Sequence, residues 1–110
     1  MSLCTIIGMV VARPEKREEL HKILAAQVAP TRAEPGCINY DFHVDAKDPC
    51  IFMFYENWAS KADLDLHLAM PHLKPLKSRM DELLARPVEI IFYTMLGTMA
   101  GAGTSKGGEP

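Results

Sequence analysis

Apolar positions along the chain follow two periods, and the shorter one is clearest between residues 37 and 58. Over Cys37–Val44, Ile38, Tyr40, Phe42 and Val44 alternate with Cys37, Asn39, Asp41 and His43. Over Ile51–Trp58, Phe52, Phe54, Glu56 and Trp58 share one face, and Met53, Tyr55 and Asn57 the other. The DAKDP segment between them carries the turn formers Asp45, Asp48 and Pro49, so the two runs predict a β-hairpin. A turn of that length sets His43 opposite residues 51 to 53. Residues 3–12 (LCTIIGMVVA) are almost continuously apolar and rich in Ile and Val, which suits a strand covered on both faces. Gly8 interrupts that run, either for tight packing or to let a ligand approach the backbone.

Elsewhere the spacing is helical. Pro14 and the acidic residues Glu15, Glu18 and Glu19 open a helix with an apolar stripe at Leu20, Ile23, Leu24 and Val28. Arg17, Glu18, Lys22 and Gln27 fall off the stripe, toward solvent. Pro30 is expected to kink or end this helix, and Pro35-Gly36 marks a turn. Ser60 with Asp63 caps a second helix bearing Leu64 and Leu68. Leu73, Leu76, Met80, Leu83 and Leu84 predict a third over 71–85, stopped by Arg86-Pro87 before a last strand at 88–96. The order β, α, β, β, α, α, β is that of a split βαβ, ferredoxin-like α+β domain at residues 1–97. The Gly-rich tail at 98–110 has no period and is expected to be flexible. Helices cover one face of such a sheet. The other also reads apolar, so a second copy of the chain is its expected cover, in a homodimer.

Composition narrows the function classes. The 110 residues suit one domain, and a net charge of −2 without a basic stripe argues against nucleic acid or an anionic membrane as partner. No apolar run reaches the roughly 18 residues of a membrane span. Residues 1–12 lack the basic start and cleavage site of a secretory leader, so a cytoplasmic protein is expected. The three cysteines are an odd number. Cys37 and Cys50 open the two hairpin strands at opposite ends, too far apart to bridge. Buried, unreactive thiols are expected, with no CxxC spacing for a metal.

The segments PTRAEPGCINYDFHVD, IFMFYENWASKADLDLHL and MPHLKPL, in that order, carry a resemblance. The chain resembles the antibiotic biosynthesis monooxygenase family over residues 3 to about 96. That family includes cofactor-free quinol monooxygenases and small stress-linked proteins. The resemblance implies a dimeric α+β barrel and an enzyme that oxidises a quinol or polycyclic phenol with O2 and no cofactor. Haem-degrading relatives of the fold place a Trp and a haem-binding His at positions occupied here by His67 and Lys77. Their first-strand Asn is replaced by an apolar residue near Met9. Haem is therefore not expected. Two other classes stay open: a His-dependent isomerase or lyase of a small oxygenated metabolite, and a non-catalytic ligand-binding or stress protein.

Residue types indicate how such a site would work. Oxygenation without metal or flavin needs the substrate as an electron-rich anion, a base to make it, and a dry pocket. Imidazole suits the base, and aromatic side chains the wall. His43, His67 and His72 are the candidate bases; Tyr55, Trp58, Phe54 and Met9 are candidate substrate contacts. A pocket between helices and sheet is expected to be lined by His43, Tyr55, His67 and His72, with Trp58 nearby. In the alternative, His43 points into the dimer barrel. His67 and His72 lie five apart across a proline, unlike the i, i+4 pair of helical zinc sites, and no carboxylate completes a clear set. No metal site is expected. Glu56, if buried, needs a partner, with Arg79, Lys77 or the neighbouring subunit as candidates.

Overall fold

Four antiparallel strands in the order β2-β3-β1-β4 form the sheet of the computed structural model, which describes residues 3–97. They are β1 (Cys4–Val11), β2 (Cys37–Val44), β3 (Ile51–Trp58) and β4 (Glu89–Tyr93). The helices are α1 (Arg17–Ala26), α2 (Val28–Arg32), α3 (Lys61–Leu68), α4 (Lys74–Lys77) and α5 (Met80–Leu83), with single 3₁₀ turns at Pro14–Lys16 and Pro71–Leu73. This is the expected ferredoxin-like α+β fold. The tail at 98–110 lies outside the described residues.

Side-chain parity decides which sheet face the helices cover. Ile6 of β1 pairs with Glu56 and Phe92, and Glu56 with Tyr40; Gly8 pairs with Phe54 and Ile90, and Phe54 with Phe42. These even-numbered positions meet the helices. Ile6, Val10, Tyr40, Phe52, Phe54 and Trp58 are buried there against Leu20, Leu24, Leu64, Leu76, Leu83 and Leu84. The hairpin register is as expected, with His43 opposite Met53. A bulge at Ile38 shifts the register between Cys37 and Asn39 and leaves that side chain exposed.

The helices depart from expectation in three places. Gln27 is buried rather than solvent-facing, because the first helix breaks there and α2 restarts at Val28. Pro30, the third residue of α2, has no N–H for a bond back to residue 26, which places the break just ahead of it. The helix expected over 71–85 is three short pieces. Pro75 is tolerated only in the first turn of α4, and the chain turns again at residues 78–79. The apolar stripe survives the breaks, since Leu73, Leu76, Leu83 and Leu84 are all buried. β4 is shorter than the 88–96 run. Cys4, Cys37 and Cys50 are free thiols; Cys4 is buried as expected, whereas Cys37 and Cys50 are only half-buried. Among the described residues, no helix is long and apolar enough to cross a membrane.

Candidate active site

The turn between α2 and β2 does more than reverse the chain. A Cβ placed on Gly36 would lie 2.3 Å from Asp63 Cγ, so the turn packs directly on the first turn of α3. That turn is fixed by Ser60, whose Oγ accepts from the Asp63 N–H at 3.1 Å and donates to the Asp63 carboxylate at 2.8 Å. The Ala59 N–H donates to the Gly36 carbonyl at 2.9 Å. Glu34, two residues before Gly36, thereby reaches under the far end of α3.

There it meets two imidazoles. Oε2 of Glu34 lies 2.8 Å from Nδ1 of His67, in the last turn of α3, and 2.8 Å from Nε2 of His72, in the following 3₁₀ turn. Glu34 and His67 are buried, and His72 is half-buried. A carboxylate only accepts, so each ring donates the proton on the nitrogen it presents. Burial holds His67 below the ordinary imidazole range, partly offset by Glu34, so the ring is neutral near pH 7.

On its other side His67 borders a cavity of about 220 Å³ between helices and sheet. Gly8, Ile6, Tyr40, Phe54 and Glu56 form its floor; Leu68, Leu73, Leu76, Lys77 and Met80 its helical wall. Gly8 contributes bare backbone, where a Cβ would be 3.8 Å from Glu56 Oε2. Glu56 is 5% exposed, and its Oε1 accepts the Trp58 indole N–H at 2.9 Å. Its partner is thus Trp58 rather than Arg79 or Lys77: Arg79 pairs with Glu19 and Glu82, and the Lys77 ammonium donates to the Leu68 carbonyl. Burial pushes the Glu56 carboxyl up to about 7, with the Trp58 N–H opposing. Tyr40 stays a phenol, since burial pushes its pKa up, and its hydroxyl accepts from Gln27 Nε2 at 3.2 Å.

The expected site is brought together only in part. His67 and Phe54 line the helix-side cavity. His72 stands behind Glu34, and Trp58 lies beneath the wall, fully buried, its ring 4.6 Å from that of His67. His43, Tyr55 and Met9 are on the opposite sheet face, away from His67, because odd-numbered strand positions point there. His43 is exposed, its Nδ1 3.0 Å from its neighbour Asp41's carbonyl oxygen. With Met9, Met53, Ile7, Ile91 and Tyr93 it borders a second hollow of about 300 Å³. Parity held the missing signal: Asn39, Asp41 and Asn57 share the His43 side, whereas Trp58 and the strand phenylalanines share the other.

Sequence reading also missed Glu34, the carboxylate that joins His67 and His72. Together the three offer ligand atoms within 4.8 Å of one another, the one such group among the described residues. Bonds of 2.0–2.1 Å to a tetrahedral zinc would hold ligand atoms about 3.3 Å apart. Both nitrogens stand instead at hydrogen-bonding distance from one oxygen, so the contacts are those of a hydrogen-bonded cluster.

The family model for antibiotic biosynthesis monooxygenases matches residues 4–77. The chain belongs to this family. It is 36% identical over 85 residues to "Putative monooxygenase Rv0793" of Mycobacterium tuberculosis, covering 77% of this chain and 83% of that protein. The protein sll1783 of Synechocystis is 34% identical over 93 residues, 84% of this chain, and the match spans 63% of its length. The crystal structure of PA3566 from Pseudomonas aeruginosa superposes with a TM-score of 0.82 at 34% identity, covering 87% of this chain and 96% of that one. The family match ends at Lys77, so it includes Glu34, Glu56, His67 and His72.

Proposed function

We propose that this member of the family is a cofactor-independent monooxygenase that oxidises a one- or two-ring quinol with O2, using His67 as base. The observation that carries this reading is a buried, neutral imidazole at an apolar, aromatic cavity that also holds a partly protonated carboxyl. A cavity of about 150 Å³ takes up benzene. The 220 Å³ here suits one ring or a compact pair, smaller than the polycyclic phenol the resemblance suggests.

His67 Nε2 takes a proton from a substrate hydroxyl, and the flat anion stacks near Phe54 and Tyr40 over the bare backbone of Gly8. The anion passes one electron to O2, and the resulting pair combines into a peroxide at a ring carbon. Protonated Glu56 supplies the proton with which the O–O bond breaks. One oxygen stays as a hydroxyquinone and the other leaves as water, so quinol plus O2 balances hydroxyquinone plus H2O. The family assignment and the relative's name support the oxygenase class.

The test is oxygen uptake with menadiol, a two-ring quinol, under 18O2. One O2 consumed per quinol with one labelled oxygen in the product is expected. Consumption no faster than spontaneous oxidation overturns the reading, as does stoichiometric hydrogen peroxide with no label in product. The facing His67 and Glu56 also suit proton transfer across a carbonyl, the isomerase reading. Turnover of a hydroxyketone without O2 would favour it.

The same proposal includes a cytoplasmic homodimer. Ile7, Met9, Ile51, Met53, Ile91 and Tyr93 lie on the sheet face that the described helices leave open. Three polar side chains of that face are already satisfied by one another, Thr5 donating to Asn57 at 2.5 Å and Asn57 to Asn39 at 2.9 Å, so a partner need not pair them.

A further inference from the structure

We propose that Glu34 is the positioning residue of this site: its carboxylate fixes His67 as the Nδ1–H tautomer and leaves Nε2 as the lone pair facing the cavity. The inference deepens the reading of His67 as the base and rests on it. A neutral imidazole has two tautomers, and only one presents a basic nitrogen at a given edge. Glu34 Oε2, 2.8 Å from Nδ1, can only accept, so it selects the form with the proton on that nitrogen. The Nε2 atom has no protein partner among the described residues and is not sealed off, while His67 itself borders the cavity. When Nε2 takes a proton, the same carboxylate lies against the new imidazolium and stabilises it.

Glu34 is built to hold that place. Its N–H donates to the Thr31 carbonyl and its own carbonyl accepts from the Cys37 N–H, both at 3.0 Å. Gly36 presses the turn onto Asp63, fixing the distance from turn to α3. His72 Nε2 donates to the same carboxylate oxygen at 2.8 Å. His72 does not border the cavity, so its part is to orient Glu34. The two N–H donors replace the water a buried carboxylate loses.

The tautomer can be read without turnover, by long-range 1H–15N correlation on uniformly labelled protein near pH 7.5. The expected result is a protonated Nδ1 and an unprotonated Nε2 on His67, with a mixture of tautomers in Glu34→Gln. In menadiol oxidation Glu34→Gln is expected to lose roughly 10- to 10⁴-fold in kcat, with KM changed less than about threefold. Glu34→Gln that fails to fold leaves the wild-type spectrum to decide. A wild-type His67 protonated at Nε2 overturns the proposal, as does a folded Glu34→Gln that keeps the wild-type tautomer and kcat. Failure of the wild type to consume O2 would instead strike the proposed function and leave the tautomer test standing.

Discussion

The indole N–H of Trp58 donates to Glu56 Oε1 at 2.9 Å, and the centroids of the indole and His67 rings lie 4.6 Å apart, tilted by 34°. One buried side chain thus touches both the acid and the base proposed for the cavity. It favours the carboxylate of Glu56 by hydrogen bonding, and it removes water from beside the imidazole, which disfavours the charged ring. An acid held up and a base held down are the pairing that acid–base chemistry near pH 7 requires.

Loss of turnover should therefore separate the histidines. His67→Ala is expected to lower kcat about 10²–10⁴-fold if the ring is the base. His43→Ala, on the far face of the sheet, is expected to leave the chemical step within about threefold of wild type. Steady-state oxygen uptake with menadiol checks both. Equal losses in the two variants would remove His67 from the base role.

The contrast between these histidines also shows what the sequence could and could not tell. The order of elements along the chain, the hairpin register and the apolar stripes are legible because each is set by residues close in sequence. His43 opposite Met53 is such a case. The face on which His43 ends depends on which side of the sheet the helices settle, a tertiary choice. It was decidable from Asn39, Asp41 and Asn57 sharing its side, but only by weighing both hairpin strands together. Glu34 is harder. It meets His67 at a sequence separation of 33, through a turn whose approach is set by Gly36 against Asp63. No periodicity encodes that contact. The single helix expected over 71–85 failed for a local reason, Pro75, that the leucine spacing concealed.

Stability should depend on pH through Glu56. Its folded pKa of about 7 lies above the ordinary 4.5, so the folded state binds this proton more tightly than the unfolded chain does. Stability from this group is fully present below pH 4.5 and is lost as pH rises through 7, about 3 kcal/mol in all. Glu56→Gln keeps an oxygen for the Trp58 N–H and has no charge to bury. Relative to wild type, it should gain stability between pH 5 and pH 8. Urea unfolding at the two pH values measures the gain, and a wild-type-to-variant difference that stays constant would contradict it.

The rate should report the same proton. With Glu56 as proton donor, kcat falls as pH rises above about 7, and that limb is absent in Glu56→Gln. Trp58→Phe removes the hydrogen bond that opposes the upward shift, so the limb should move to higher pH. A limb unmoved in Trp58→Phe would show that the indole bond does not set the acidity.

Two glycines should respond in opposite ways. At Gly36 a Cβ meets Asp63 Cγ at 2.3 Å and Cβ at 2.4 Å, atoms too close to the helix backbone to swing aside. Gly36→Ala must push the turn off α3, at a cost of about 1–3 kcal/mol, and it carries Glu34 away from His67. At Gly8 the nearest atom to an added Cβ is Glu56 Oε2 at 3.8 Å, an ordinary contact facing the cavity. Gly8→Ala should therefore fold as well as wild type, or gain a few tenths of a kcal/mol from the stiffer unfolded chain. Its methyl group instead takes space where the substrate ring must approach the sheet. KM for menadiol should rise while the melting temperature holds. A lower melting temperature with unchanged KM would mean that Gly8 serves packing and that the ring binds elsewhere.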